Sequence, residues 1–323
     1  MSRGERFLAL TGGVGGAKLA VGLCALLGPD ELSFVVNTGD DFEHLGLHVS
    51  PDLDSLMYAL ADLSNPDTGW GRRGETWHFI ETLRELGGES WFNLGDRDLA
   101  VHVQRSARLR AGASLSRVTR ELNAALGTRH AIWPMSDDPV STIVHTADGP
   151  LAFQHYFVRE RCAPRVTGFE FAHAAAAKPL PAVLELLADP ALTGIILCPS
   201  NPFVSVDPIL AVPGMREALR ASAAPVVAVS PIVAGLALKG PTAKMMAELK
   251  VPATAAAVAA HYGDLLDGFV LDTQDAPLLD AFSGVGPAAI AAPSVMLTFD
   301  DKLRLATIVV EFARELRAVA KRR

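Results

Sequence analysis

Cysteine is scarce in this sequence. Cys24, Cys162 and Cys198 are odd in number, far apart and without CxxC spacing. That excludes a structural zinc knuckle and a secreted disulfide framework, and favours a reducing cytoplasm. Positive charge is also short: 29 Lys and Arg face 36 Asp and Glu, a net charge of −7. A general nucleic-acid binder of this size runs basic, so that class is disfavoured. Long apolar runs are missing. Ala253–Ala260 is broken by a threonine, and Pro225–Leu238 by prolines and glycine. Neither approaches the ~18 residues of a membrane span. The apolar run Phe7–Leu10 passes at once into glycines, which is no signal-peptide core. What is abundant is hydrophobic side chain, 50% of 323 residues. That suits a large core and argues against intrinsic disorder.

The opening segment alternates cleanly. Phe7–Leu10 reads as a buried strand, Thr11–Gly16 as a glycine turn, Ala17–Leu27 as a helix stopped by Gly28-Pro29, and Leu32–Val36 as a second strand. Similar strands recur at Gly194–Leu197, Pro225–Val229 and Gly268–Leu271, and a last helix is expected over Asp301–Ala320. Between these halves, Asp54–Leu63, Glu75–Leu86, Asp98–Leu109 and Leu115–Leu126 show helical apolar spacing, and Ala174–Ala177 reads as a brief helix. Ser141–Thr146 and Leu151–Phe157 alternate around Asp148-Gly149, the signature of a β-hairpin. The expected architecture is a single α/β domain over 1–323. It has a doubly wound, mostly parallel, Rossmann-like sheet, with a helical and β-hairpin subdomain inserted over approximately 54–165.

The glycine turn Thr11-Gly12-Gly13-Val14-Gly15-Gly16-Ala17-Lys18 is the first chemical signal. Glycines let backbone approach a ligand closely, and a helix N-terminus favours a phosphate. Lys18 adds a point charge. The spacing is neither a Walker A loop nor G-x-G-x-x-G, since Lys18 stands where the last glycine belongs. A tight strand–helix turn with no ligand is the plain alternative.

Carboxylates follow. Asn37-Thr38-Gly39-Asp40-Asp41 ends the second strand, and Pro51-Asp52-Leu53-Asp54 starts a helix. Ligands of doubly wound sheets bind outside the strands' carboxyl ends, and hard oxygen ligands beside phosphate favour Mg²⁺. Asp52 has the simpler reading of a helix cap. His44 and His48 are four apart, but Gly46 makes a loop and no third ligand is in phase, which argues against zinc. No cysteine is placed for Cys-His catalysis. In Ser90–Asp98, Trp91, Phe92 and Asn93 with Asp96 and Asp98 suit either a wall for a flat ring or a capped helix start over packed aromatics. Proline-pinned polar loops at Cys198–Pro202, Ser230–Ile232 and Lys239–Pro241 place function at one sheet edge.

Taken in order, Gly12–Lys18, Asn37–Asp41, Pro51–Asp54, Leu94–Asp98, Met135–Thr142, Pro199–Pro202 and Ser230–Ile232 resemble the 2-phospho-L-lactate transferase family over about residues 7–275. The resemblance implies a step in building the deazaflavin coenzyme F-420. A guanosine diphosphate ester of a three-carbon acid is the donor, and the terminal ribityl hydroxyl of the deazaflavin FO attacks the phosphorus next to the acid. GMP leaves, Mg²⁺ is required, and the enzyme is typically a homodimer. The family's deazaflavin contacts fall on Asp54 and Asn93, where archaeal members often have a basic residue at the latter. The segment Gly69–Trp77 looks more like bacterial members, which use an enolpyruvyl donor.

These roles suit displacement at phosphorus, which needs positioning and charge stabilisation. Gly12, Gly13, Gly15, Gly16 and Lys18 are expected to cradle the diphosphate. Asp40, Asp41 and Asp54 are expected to gather Mg²⁺ and the attacking hydroxyl. Asp54 and Asp40 are the expected catalytic groups, with Asp54 as base, and Ser200 and Asn201 are expected to contact guanosine or acid. Two rivals are a regulatory nucleotide-sugar-binding protein of the same superfamily, which should lack the loop Trp91–Asp98, and an NAD(P)-dependent oxidoreductase. Partners are small molecules, with neither nucleic acid nor membrane.

Overall fold

Apolar runs bounded by glycine, proline or acids fold here as buried strands. In the computed structural model, which describes residues 4–66, 70–284 and 286–320, they form a seven-stranded sheet. Its members are β1 (Arg6–Thr11), β2 (Leu32–Val36), β3 (Ala131–Pro134), β4 (Leu192–Leu197), β5 (Val226–Val229), β6 (Gly268–Asp272) and β7 (Ala288–Ala292). Neighbours pair in parallel in the order 3-2-1-4-5-6-7. The expected doubly wound α/β sheet is therefore present. The order reverses between β1 and β4, the switch point where such sheets open a crevice.

Register brings the loops level. Thr11 lies opposite Val36 and Leu10 opposite Leu197. Alternation divides the core: Phe7, Ala9, Phe34 and Ile196 pack on one face, and Leu8, Leu10, Val35 and Ile195 on the other. Helix α1 (Gly13–Leu26) lies against the C-terminal helix Phe299–Ala320. A Cβ at Gly22 would meet the Lys302 carbonyl at 2.2 Å, so glycine sets how closely these helices approach.

The helical expectations lie within a few residues of α2 (Pro51–Leu60), α3 (His78–Glu85), α4 (Asp96–Arg110) and α5 (Leu115–Ala125). Gly69, the start of the segment Gly69–Trp77, lies outside the described residues. Two carboxylates cap α3 and α4 reciprocally. Asp96 accepts from the His78 and Phe79 amides, and Glu75 from the Arg97 and Asp98 amides.

Four readings change. Helix α1 begins at Gly13 rather than Ala17, so the expected glycine turn is its first turn. The interval 54–165 is not one piece, because β3 returns within it to the central sheet. Pro134 ends β3 without disrupting the ladder because β3 is the sheet's edge. The hairpin is a three-stranded antiparallel sheet, with Ser141–Thr146 between Gly149–Ala152 and the unanticipated Val166–Ala172. Strand β7 also escaped the sequence reading, since its alanines carry little strand preference. Ala174–Ala176 is a single 3₁₀ turn.

Candidate active site

The loops after β1, β2 and β4 meet at the switch point. Gly12 follows β1 and leads into α1. Its amide donates to the Ser200 hydroxyl at 3.1 Å, and that hydroxyl donates to the Gly12 carbonyl at 2.7 Å. Gly13 has φ +66°, the left-handed region glycine favours. Its amide donates to Asp52 Oδ1 at 2.8 Å. Side chains added at Gly15 or Gly16 would come within 2.5 Å of the Pro199 carbonyl or 2.7 Å of the Ser200 hydroxyl. These glycines thus bring α1 close to the loop after β4. The first amides of a helix have no partner within it, and Asp52 already occupies that of Gly13.

Ser200 is a tether for the glycine loop. Asn201 accepts from the Phe203 amide at 3.0 Å, and its own amide lies 3.4 Å from Met245 Sδ. Both residues, expected at substrate, are engaged within the protein. Lys18 donates to the Met296 carbonyl at 2.9 Å. Partial burial, and then the charges of Lys239 and Lys302, lower its pKa. An anion placed among these lysines would relieve that repulsion.

The acidic corner lies at the end of β2. Asn37 is fully buried and donates to Asp52 Oδ2 at 2.9 Å. Its carbonyl oxygen accepts from the Gly39 amide, turning the chain into Asp40-Asp41. Asp41 Oδ2 takes bonds from the Ser50 hydroxyl at 2.7 Å and from His48 Nε2 at 3.0 Å. Among the described residues, Oδ1 of Asp40 and Oδ1 of Asp41 are buried without a hydrogen-bond partner. Burial, and then the neighbouring Asp52 charge, raise the pKa of Asp40. Burial likewise raises Asp41, and pushes Asp52 up to about 6. Buried carboxylate oxygens without partners are unfavourable unless a cation or proton meets them. Asp40 and Asp41 therefore have the donor chemistry for a hard divalent cation.

Asp54 lies apart from that pattern. Arg105, 0% exposed, donates Nη1 to Asp54 Oδ2 at 3.0 Å and Nη2 to Oδ1. His102 Nδ1 lies 3.7 Å from Asp54 Oδ2, and its Nε2 3.3 Å from Asp98 Oδ2. The Tyr58 hydroxyl donates to Asp98 Oδ1 at 2.6 Å. Burial alone would raise Asp98, but the His102 ring beside it and the Tyr58 bond together hold the pKa below the usual carboxylate range. Asp54, Asp98 and His102 offer ligand atoms within 4.8 Å of one another. A cation there would compete with the Arg105 guanidinium.

A third patch adjoins these. His44 and His48 stand on a two-stranded hairpin, Phe42–His44 with Leu47–Val49. The His44 ring lies 5.2 Å from that of Trp91 and 5.8 Å from that of Phe92, and His155 is 4.8 Å from Trp91. Burial lowers the His44 pKa, and its Nε2 is buried without a partner among the described residues. Asn93 is exposed beside this wall. Sequence reasoning set His102 and Arg105 after the aromatic loop without assigning either a specific role. Their spacing from Asp98, His102 four and Arg105 seven residues along α4, was the available signal. Asp137 and Asp138 receive the Ser116 and Lys178 amides and shape turns. Burial pushes the Cys198 thiol up to about 12, unsuited to a nucleophile.

The family model described as "2-phospho-L-lactate transferase CofD" matches residues 7–283. A phosphoenolpyruvate transferase of Kitasatospora aureofaciens is 44% identical over 319 residues, 97% of this chain and 99% of that protein. A phosphoenolpyruvate transferase of Streptomyces avermitilis is 41% identical, covering 97% and 99%. A 2-phospho-L-lactate transferase of Methanosarcina mazei is 39% identical over 304 residues, 94% of this chain and 99% of that one. A solved Bacillus halodurans protein of the UPF0052 family superposes with a TM-score of 0.63 at 18% identity, covering 95% of this chain and 100% of that one. That likeness concerns the fold.

Proposed function

Since the chain belongs to the 2-phospho-L-lactate transferase family of coenzyme F-420 biosynthesis, we propose that it transfers a three-carbon phospho-acid from a guanosine diphosphate ester to the ribityl hydroxyl of FO. GMP leaves, and the product is coenzyme F-420-0 or its dehydro form. The enolpyruvyl donor is preferred over the lactyl one, supported by the names of the bacterial relatives. A cytoplasmic homodimer belongs to the same reading. The observation that carries it is the corner of buried acids, with two partnerless oxygens, level with the glycine helix at the switch point.

In this reading Asp40 and Asp41 would hold Mg²⁺. When bound, the ion would neutralise diphosphate charge and stabilise the leaving phosphate. His48 and Ser50 orient Asp41 through its other oxygen. Remaining amides of the first turn of α1, with Lys18, receive the diphosphate. The wall of Trp91, Phe92 and His44 receives the flat deazaflavin, with Asn93 at its rim. Asp54, expected both on the metal and as base, has its oxygens engaged by Arg105. That engagement suits it to orient the attacking hydroxyl. In a loose transition state the alcohol keeps its proton until late, so orientation matters more than basicity.

Trp91–Asp98, the loop the regulatory rival should lack, is present as an aromatic wall leading into α4. Incubation with FO, Mg²⁺ and competing enolpyruvyl, lactyl and glyceryl guanosine esters, read by mass spectrometry, tests the function. Dehydro-F-420-0 with GMP is expected. No deazaflavin product from any donor would reject the reading.

A further inference from the structure

Helix α4 touches more of the site than its sequence suggests. Arg105 forks onto Asp54, and it is the charged neighbour that opposes burial at Asp41 from α4. One turn back, His102 bridges towards Asp98, and Tyr58 of α2 closes the far end. Arg105 Nη1 also lies 3.3 Å from His102 Nδ1, so the imidazole sits between the fork and Asp98. Next along α4, the Ser106 hydroxyl accepts the His48 amide at 2.7 Å. It thereby holds the hairpin whose His48 orients Asp41. At its other end, α4 is entered directly from the aromatic loop Trp91–Asn93, and Glu75 fixes that entry.

Stability alone does not account for this seam. A buried ion pair is often replaced by apolar side chains at no loss of stability. A planar two-pronged donor does fix the direction of a carboxylate, which a single ammonium does not. We propose that Arg105 is a positioning residue for the transfer. With His102, Asp98 and Tyr58 behind it, it sets Asp54 at a fixed distance from the aromatic wall, so that the hydroxyl at the end of the acceptor's chain meets the phosphorus when its ring is seated. This rests on the function proposed above. The helix acts as a ruler between ring and alcohol.

The test uses the full-length protein with Mg²⁺ and compares wild type with Arg105→Lys, His102→Gln and Tyr58→Phe. Deazaflavin affinity is read by equilibrium fluorescence titration without donor, and steady-state constants are measured for each substrate. For Arg105→Lys, kcat is expected to fall on the order of a hundredfold, the effect of a misplacement near 1 Å. FO binding should weaken, while KM for the guanosine ester and Tm stay close to wild type. Tyr58→Phe, which keeps the ring and its packing, should give the same pattern in milder form and serves if Arg105→Lys does not fold. Unchanged kcat and FO affinity in the folded variants would overturn the proposal. So would a parallel rise of both substrates' KM with a falling Tm, the mark of a scaffold role. If wild type binds FO but these variants match it, only the ruler fails; if wild type binds no FO, the parent reading fails with it.

Discussion

Two acidic corners lie along α2, and they are built on opposite terms. At Asp54 and Asp98 the carboxylates meet Arg105, His102 and Tyr58. At Asp40, Asp41 and Asp52 the direct partners are an asparagine, a serine, a histidine and the Gly13 amide, Arg105 acts on Asp41 only through its charge, and among the described residues oxygens of Asp40 and Asp41 are left without partners. Asp40, Asp52, Asp54 and Asp98 are all buried and the Asp41 side chain is largely covered, so burial alone does not distinguish the corners. What distinguishes them is charge balance. The first has its carboxylates balanced by cationic and hydroxyl partners and sets geometry, although Arg105 Nε and His102 Nε2 find no hydrogen-bond partner among the described residues. The second is incomplete and strained by like charge, a strain the proposed Mg²⁺ would relieve.

The sharpest way to break this comparison is to remove the charge that balances each corner, or the excess that unbalances it. Arg105→Met leaves Asp54 buried beside Asp98 without its cation. Breaking a buried pair in this way costs about 3–5 kcal/mol, and urea unfolding should show a loss of that size. Asp40→Asn should act in the opposite direction on stability. It removes like-charge repulsion, so Tm without divalent cation should rise. Turnover should fall on the order of 10²–10³-fold, the loss typical of removing one preorganised electrostatic group. If both variants destabilise equally, the corners are not different in kind.

A pH scan sharpens the same contrast. Asp52 titrates near 6 in the folded protein, against an ordinary value of 3.8. Between those values the folded state binds more protons than the unfolded chain, so stability from this group falls as pH rises and levels above about 6. The depressed Asp98 acts in the other window: its contribution is present above its ordinary pKa and fades as pH falls below it. Between pH 5 and pH 7.5 the metal-free wild type should therefore lose more Tm than Asp52→Asn does. Added Mg²⁺ should narrow that loss in wild type. Equal slopes for the two proteins would remove the strain assigned to the acidic corner.

Much of this arrangement was legible in the sequence, and the part that was not has a physical reason. Apolar runs ending in glycines and acids announced β1, β2, β4, β5 and β6, and hence the edge where Gly12, Asp40 and Ser200 meet. Local patterns do not report partners distant in sequence. Asp54 and Arg105 are 51 residues apart, and nothing within either segment says that a helix after the aromatic loop folds back on the helix after Asp41. For the same reason Ser200 looked free in its loop, although its bonds are to Gly12, and the side-chain amide of Asn201 lies against the distant Met245. The alanines of β7 and the glycine inside Val166–Ala172 hid strands that only their neighbours stabilise.

The smallest effect tests whether the glycine helix belongs to the incomplete corner or merely borders it. Ser200 donates to and accepts from Gly12, and Asp52 holds the next amide. Together they link the loop after β4, the start of α1 and the acids of α2 across the switch point. Ser200→Ala removes one end of that link without adding volume. It leaves two buried backbone groups of Gly12 with one partner fewer, a loss of about 1 kcal/mol. If the link also sets the first turn of α1 for a diphosphate, KM for the guanosine ester should rise by several fold while FO affinity stays unchanged. Arg105→Lys is expected to show the reverse selectivity. Matching shifts in both substrates for Ser200→Ala would mean that the two ends of the site are not independently positioned, and the contrast between the corners would shrink to one of charge alone.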